Sequence, residues 1–398
     1  MAELFVESLG VYFKLVWRTF TDRSWRPSLR AGFVLAGLMP LFMLIQFLHW
    51  LGFLLDDLLF RDYRKITIRE PVFVLGPPRS GTTLVHRVLA LDEQLTTLQT
   101  WECLFAPSIT QRRFWMALGR LDRWLGGHVN RGIERLEARL TSKLEAIHAT
   151  RLRAPEEDYL TLLPVLASFI LVLPFPCSDQ LWRLGTFDRD MSERSRRRIL
   201  AFYRANLQRH LYVHGPGKRM LSKNASFGGW AGSLSQAFPD ARFLCCLRDP
   251  METLPSQLSS VADAVSLFDC NRGGNARLRE RFIDVHAFHF HNLLQVLTPL
   301  PSERCVFLPM DRLVTTLEES MHNAYHTLDL PLSEDFRRAL HNAAASNRNY
   351  RSRHRYDLTS TGLDEHGLRR RFATYYTWHE QSSHDLPGAW NDSARSGS

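Results

Sequence analysis

Lysine is scarce in this chain. Of its 398 residues 50 are basic, yet only Lys14, Lys65, Lys143, Lys218 and Lys223 are lysines, leaving 45 arginines. A bias of that size follows gene base composition as readily as function, so arginine counts alone carry no functional weight. Cysteine is sparse as well. Cys103, Cys177, Cys245, Cys246, Cys270 and Cys305 show no C-x-x-C and no Cys/His spacing, which removes zinc ribbons and dithiol redox sites and leaves reduced, buried thiols. Internal repeats are absent, and so are a basic helix, finger-like ligand spacing and an RNP-like aromatic string, so nucleic acid is not the expected partner. No metal is expected.

What remains is 45% hydrophobic and 23% charged, with a net charge of +9. The chain can therefore bury a core, and its charge suits an anionic ligand or an anionic membrane surface. The most informative stretch runs from Pro71 to Arg87. Val72 to Leu75 is a short β-branched run with the look of a buried parallel strand. Gly76 to Gly81 is a tight Gly/Pro turn, and from Ser80 a helix begins, with Leu84, Val85, Val88 and Leu89 on one face. A strand, a glycine turn and a helix N-terminus gather free backbone N–H groups and the positive end of a helix dipole around one point, which is an anion site. Gly76 and Gly81 have the spacing of a nucleoside triphosphate loop, but Thr82-Thr83 stand where that loop needs Lys-Ser/Thr. The fixed cation is instead Arg79, inside the turn.

Two long uncharged runs stand out elsewhere. Residues 1–30 are amphipathic, and Ala31 to Leu55 then carries no formal charge over 25 residues, enough to span a bilayer. It is too long and too far from the start for a cleaved signal peptide. A spanning helix, a hairpin or interfacial helix, and a buried core helix compete, with the membrane readings favoured. The 15 residues from Asp56 to Glu70 read as a linker that reaches at most roughly 50 Å when extended. Gln94 to Glu102 reads as a short extended segment and 110–153 as a solvated, arginine-rich helical insertion. Ala154 to Asp158 opens a helix, with proline and acids in its first turn. The uncharged Tyr159 to Ser178 stretch is either core or an apolar wall for an acceptor pocket.

Further strands are expected at Arg219 to Ser222, Arg242 to Leu247 and Cys305 to Leu308, each followed by a loop and a helix. The expected fold is therefore α/β, a mainly parallel sheet flanked by helices, with ligands at the carboxyl edge of its strands. Cys245 and Cys246 should face opposite sides of that sheet. The strand ending at Leu247 enters Arg248-Asp249-Pro250, and Pro250 fits the first position of a helix that carries Ser256. Arg248 and Ser256 can thus face one anion above the same sheet edge as the glycine turn.

The string Pro78-Arg79-Ser80-Gly81-Thr82-Thr83 resembles the 5′-phosphosulfate loop of the sulfotransferase family, the stand-alone bacterial and eukaryotic type. The arginine and serine around Arg248-Asp249-Pro250 resemble that family's 3′-phosphate motif. Weaker likenesses are Thr100-Trp101-Glu102, Arg219 to Lys223, Phe238 to Phe243, Leu308 to Leu313, and His354-Arg355-Tyr356 with Gly362-Leu363, so that about 70–375 is covered. Relatives carry K-S-P-x-H or K-N-P-x-H where this chain has Lys223-Asn224-Ala225-Ser226-Phe227, which puts the role of that segment in doubt.

The resemblance implies a P-loop-like fold and the donor 3′-phosphoadenosine 5′-phosphosulfate, used without a metal. Arg79, Ser80, Gly81, Thr82 and Thr83 would hold its 5′ side, Arg248 and Ser256 its 3′-phosphate. Arg79 would stabilise charge on the leaving oxygen and Lys223 reach the sulfonate, while Glu102 takes the acceptor's proton with His86 as the rival base. The expected acceptor is a hydroxyl on a lipid-linked or carbohydrate molecule, reached by a membrane-associated enzyme on a side that contains the donor, the cytoplasm or a Golgi lumen. The expected organisation is a membrane-associated segment at 1–60, a catalytic domain at 70–385 with a helical insertion at 110–180 that offers an acceptor pocket, and a frayed tail at 387–398. A nucleotide kinase or NTPase, and a non-catalytic membrane adaptor on the same fold, are the alternatives.

Overall fold

The structure, a computed structural model, describes residues 2–21, 29–143, 152–268, 274–347 and 364–385. His354, Arg355, Tyr356, Gly362, Leu363, Cys270 and the tail at 387–398 lie outside them.

Five parallel strands form one sheet: β1 (Val72–Leu75), β2 (Leu95–Thr96), β3 (Arg219–Lys223), β4 (Arg242–Leu247) and β5 (Cys305–Pro309), in the order β2-β3-β1-β4-β5. Register is set by pairs such as Val74 with Lys223 and Val74 with Leu244. β1 is buried along its whole length, and its alternating side chains enter two cores. Phe73, Leu75, Phe243 and Cys245 join one; Val72, Val74, Leu244 and Cys246 join the other. The adjacent cysteines therefore face opposite sides, as the strand period requires.

The helices that matter here are α1 (Ala2–Thr21), α2 (Leu29–Leu59), α3 (Thr82–Leu89), α4 (Thr100–Phe105), α5 (Ile109–Trp124), α6 (His128–Lys143), α7 (Glu193–His214) and α8 (Pro250–Leu267). α2 is long and apolar enough to cross a membrane. It does not end at a linker. Asp56 is fully buried, bonds the α5 N–H groups of Ile109 and Thr110 at 2.8 Å, and pairs with Arg209 of α7 at 3.1 Å. The expected slack between apolar helix and sheet is thus absent.

Three local expectations are corrected. Thr100-Trp101-Glu102 is the first turn of α4 rather than extended chain, because Gln99 and Glu102 form a reciprocal capping box. The helix expected from Ala154 is a pair of 3₁₀ segments, Asp158–Val165 and Phe169–Val172, and Leu162, Leu171, Val172 and Phe175 of the uncharged stretch enter the main core. α5 and α6 are helical and solvated, with Arg113, Arg120, Arg123, Arg131 and Arg135 exposed, but that surface is not purely polar: Phe114, Trp115, Leu121 and Trp124 are exposed too, Trp124 by 81%.

Candidate functional site

The carboxyl edges of β3, β1 and β4, neighbours in the sheet, bring three loops together. The central one follows β1. Gly76 has φ 157°, and a Cβ there would lie 2.4 Å from the Cys246 carbonyl oxygen and 2.5 Å from Ser80 Oγ. The turn can close only with glycine. Gly81, at φ 96°, caps α3 and supplies no side-chain bond to its first turn, so N–H groups at that end have no partner within the helix. Ser80 Oγ is buried without a hydrogen-bond partner, Thr82 is buried, and Thr83 is half-buried. An orphaned hydroxyl inside a cradle of N–H groups at a helix dipole's positive end fits an anionic ligand such as a phosphate.

Arg79 sits at φ 71°, left-handed for a side chain with a Cβ, a conformation that costs about 1–3 kcal/mol and persists where its surroundings enforce it. Its Nε donates to Ser256 Oγ at 2.9 Å. Ser256 lies on α8, whose start is built by Asp249, accepting from Met251 N at 2.7 Å, and by Pro250. The two sequence motifs, 177 residues apart, are therefore in direct contact. Arg248 is turned toward its own helix: its Nε donates to Glu252 Oε2 at 2.9 Å. It would have to leave Glu252 to hold a ligand.

On the other side of β1, the ammonium of Lys223 pairs with Glu157, which is partly exposed. The next residue, Asn224, is fully buried; its N donates to the β1 carbonyl of Val74 at 3.3 Å, its Oδ1 accepts from Ser226 N at 2.9 Å, and its Nδ2 has no partner. Sequence reasoning missed both. Glu157 reads as an ordinary first-turn acid, and Asn224 falls where the resemblance fails.

The two residues expected to act as bases are sealed from solvent. Glu102 Oε2 accepts from Gln99 N at 2.9 Å, and Oε1 lies 2.7 Å from His214 Nε2, 3.2 Å from Arg112 Nε and 3.5 Å from His210 Nδ1. Burial works against its charge, but His210, Arg112 and the bond from His214 hold its carboxyl well below the usual range. Arg112 and His210 are themselves fully buried, and burial pulls His210 down to about 4. Donor atoms of Glu102, His210 and His214 lie within 4.8 Å of one another. The Arg112 guanidinium shares the same carboxylate oxygen, which makes the cluster an ion-pair cage and a poor cation site. His86 is buried with Nε2 2.7 Å from Thr97 Oγ1; burial, then the charges of Lys223 and Arg87, keep it neutral.

The sequence model described as the sulfotransferase family matches residues 71–334. Among curated proteins the chain is 25% identical, over 192 residues, to omega-hydroxy-beta-dihydromenaquinone-9 sulfotransferase Stf3 of Mycobacterium tuberculosis (strain CDC 1551 / Oshkosh), a match covering 47% of this chain and 44% of that protein. The chain thus spans less than half the length of the curated relatives it matches. Among solved structures, sulfotransferase STF1 from Mycobacterium tuberculosis H37Rv superposes with a TM-score of 0.69 at 17% identity, covering 94% of this chain and 98% of that one. Sulfotransferase STF9 from Mycobacterium avium gives 0.65 at 20% identity, covering 80% and 79%. At such identities these two likenesses speak for the fold alone.

Proposed function

The chain belongs to the sulfotransferase family, and from that premise we propose that it transfers a sulfuryl group from 3′-phosphoadenosine 5′-phosphosulfate to the hydroxyl of a lipid-like acceptor at a membrane. The observation that carries the donor assignment is the bond between Arg79 and Ser256, which ties the loop after β1 to the helix after β4. A ligand with phosphate groups at both ends of one nucleoside needs two such anion sites side by side.

In this reading the loop N–H groups, Ser80 Oγ and the hydroxyls of Thr82 and Thr83 hold the 5′-phosphate, while Arg248 and Ser256 hold the 3′-phosphate. The bound donor supplies a sulfuryl group that is displaced in line, the acceptor O–S bond forming as the S–O bond to phosphate breaks. Arg79 and the N–H cradle place fixed positive charge where that leaving oxygen becomes anionic. Lys223 Nζ, now paired with Glu157, steadies the sulfonate oxygens in this reading. For the acceptor's proton we favour Glu157 over Glu102 and His86, because it alone of the three is open to solvent and it sits against Lys223 at the sheet edge.

Two observations support a lipid-like acceptor: the apolar helix α2 packs directly on the catalytic body through Asp56, and the curated relative is named for an omega-hydroxy dihydromenaquinone. The test is to incubate purified protein with radiolabelled donor and, separately, a membrane lipid extract and a soluble glycan pool. Label in the lipid fraction supports the reading. Label only in the glycans overturns the acceptor, and no transfer to either overturns the function.

A further inference from the structure

Hydrophobic side chains on the outside of α1, α2 and α5 have no covering element among the described residues. α1 and α2 are an antiparallel hairpin: Phe5 meets Trp50 at 5.3 Å, Tyr12 OH donates to the Met39 carbonyl at 3.2 Å, and Phe20 borders Gly32. The base of the hairpin is tied to the catalytic body, Glu7 to Arg198 on α7 and Asp56 to Arg209. Along α2 the residues Ala31, Leu35, His49, Trp50 and Phe53 are buried, whereas Leu41, Leu44, Phe47, Leu51 and Leu54 face out. α5 extends the same surface, since Gln111 bonds the Leu48 carbonyl at 3.3 Å and the His49 ring at 3.0 Å. Phe114, Trp115 and Trp124 are exposed on it.

Charge identifies the occupant. Apart from buried Arg112, residues 109–143 carry seven basic and three acidic side chains, interleaved with exposed tryptophans, the composition of a helix lying where headgroups meet acyl chains. On α1, Lys14 and Arg18 are exposed beside Phe13 and Trp17. If α2 crossed the bilayer, the hairpin would draw α1 back through it and set Lys14 in hydrocarbon, which is costly. An in-plane hairpin leaves both cations at the headgroups.

We propose that α1, α2 and α5–α6 form one monotopic face that binds an anionic bilayer from one side, with the α1–α2 pair lying in a single leaflet and the Leu29 end of α2 on the same side as the catalytic body. This rests on the membrane attachment proposed above and is tested without turnover. In sealed membrane vesicles of each orientation, Arg30→Cys in the first turn of α2 and Lys218→Cys on the catalytic body are probed with a membrane-impermeant maleimide, against the unsubstituted protein. The proposal expects both positions to label in the same orientation; labelling in opposite orientations means that the segment spans, and overturns it. In parallel, purified protein is floated with vesicles of phosphatidylcholine, with and without phosphatidylglycerol. Wild type floats more strongly with the anionic lipid, and Phe114→Asp with Trp124→Asp lowers binding at least tenfold while the melting temperature holds. Unchanged flotation of that variant removes α5 from the face. If wild type floats with neither vesicle, membrane attachment itself falls, and if the variant instead converts a dimer to monomer on sizing, the occupant is a second copy of the chain and the proposal fails.

Discussion

Arg79 Nε lies 2.9 Å from Ser256 Oγ, so a strained turn residue on one side of the sheet edge is latched to a buried helix residue on the other. Among the described residues Arg79 bonds only through Nε, leaving its Nη groups for a ligand. Arg79→Ala should fold normally, since no buried partner ion is orphaned, and lose activity by about 10²–10³ in kcat, the usual cost of one preorganised donor. Circular dichroism beside a transfer assay measures this. Near-normal turnover would remove Arg79 from the chemistry.

Gly76→Ala tests the cradle itself. The added methyl would meet the Cys246 carbonyl oxygen at 2.4 Å, a backbone atom that cannot swing aside, at a φ that disfavours a side chain. The expected result is a lowered melting temperature and loss of donor binding together. A variant that binds donor with wild-type affinity would show that the loop geometry is not what holds it.

Glu157→Gln and Glu102→Gln should differ in kind. The first neutralises the partner of buried Lys223 at a partly exposed position, so it lowers the melting temperature less than the second and shows chiefly as a lower kcat with little change in donor affinity. The second leaves buried Arg112 facing a neutral partner, and breaking such a pair typically costs about 3–5 kcal/mol, so it should appear first as a fall in melting temperature. A stable, catalytically dead Glu102→Gln beside an active Glu157→Gln would return the proton to Glu102.

Asp158 gives a pH signature. Burial pushes its carboxyl up to about 7, against bonds from Tyr203 and Ser222 that act the other way. The folded state thus favours the protonated form, so this group's contribution is fully present below about pH 4 and is lost as pH rises toward 7. At about 1.4 kcal/mol per pKa unit, the loss is on the order of a few kcal/mol. Asp158→Asn removes the titration, so its unfolding free energy relative to wild type should rise between pH 4 and 7.5. A pH-independent difference in urea midpoints would contradict this.

Most of the sheet was legible because β1, β4 and β5 are short, mainly apolar runs closed by turn residues, and burial on both faces writes itself into such runs directly; β3, Arg219 to Lys223, is mixed in character and carries the weaker signal. The glycine turn and the Asp249-Pro250 helix start were legible for a similar local reason. What the sequence hid depends on distant partners. Glu102 could be read as a base or as a capping, salt-bridged glutamate, and only the fold decides for the second, because its cage comes from Arg112, His210 and His214, the last two more than a hundred residues away. Glu157 looked like a helix-start acid because Lys223, its ion-pair partner in the fold, follows 66 residues later. The helical period of α5 was visible, but periodicity says that a face is apolar and not which neighbour covers it; in the fold, nothing described covers Phe114 or Trp124.

In the proposed reading the loop after β1 and the helix after β4 form one site for a nucleoside carrying phosphate at both its 3′ and 5′ positions. Calorimetric titration with adenosine 3′,5′-bisphosphate, compared with adenosine 5′-phosphate, tests this most directly in wild type and in Ser256→Ala. Wild type should bind the bisphosphate much more tightly than the monophosphate, and Ser256→Ala should erase most of that preference. Equal affinity for the two nucleotides in the folded wild-type protein would contradict it.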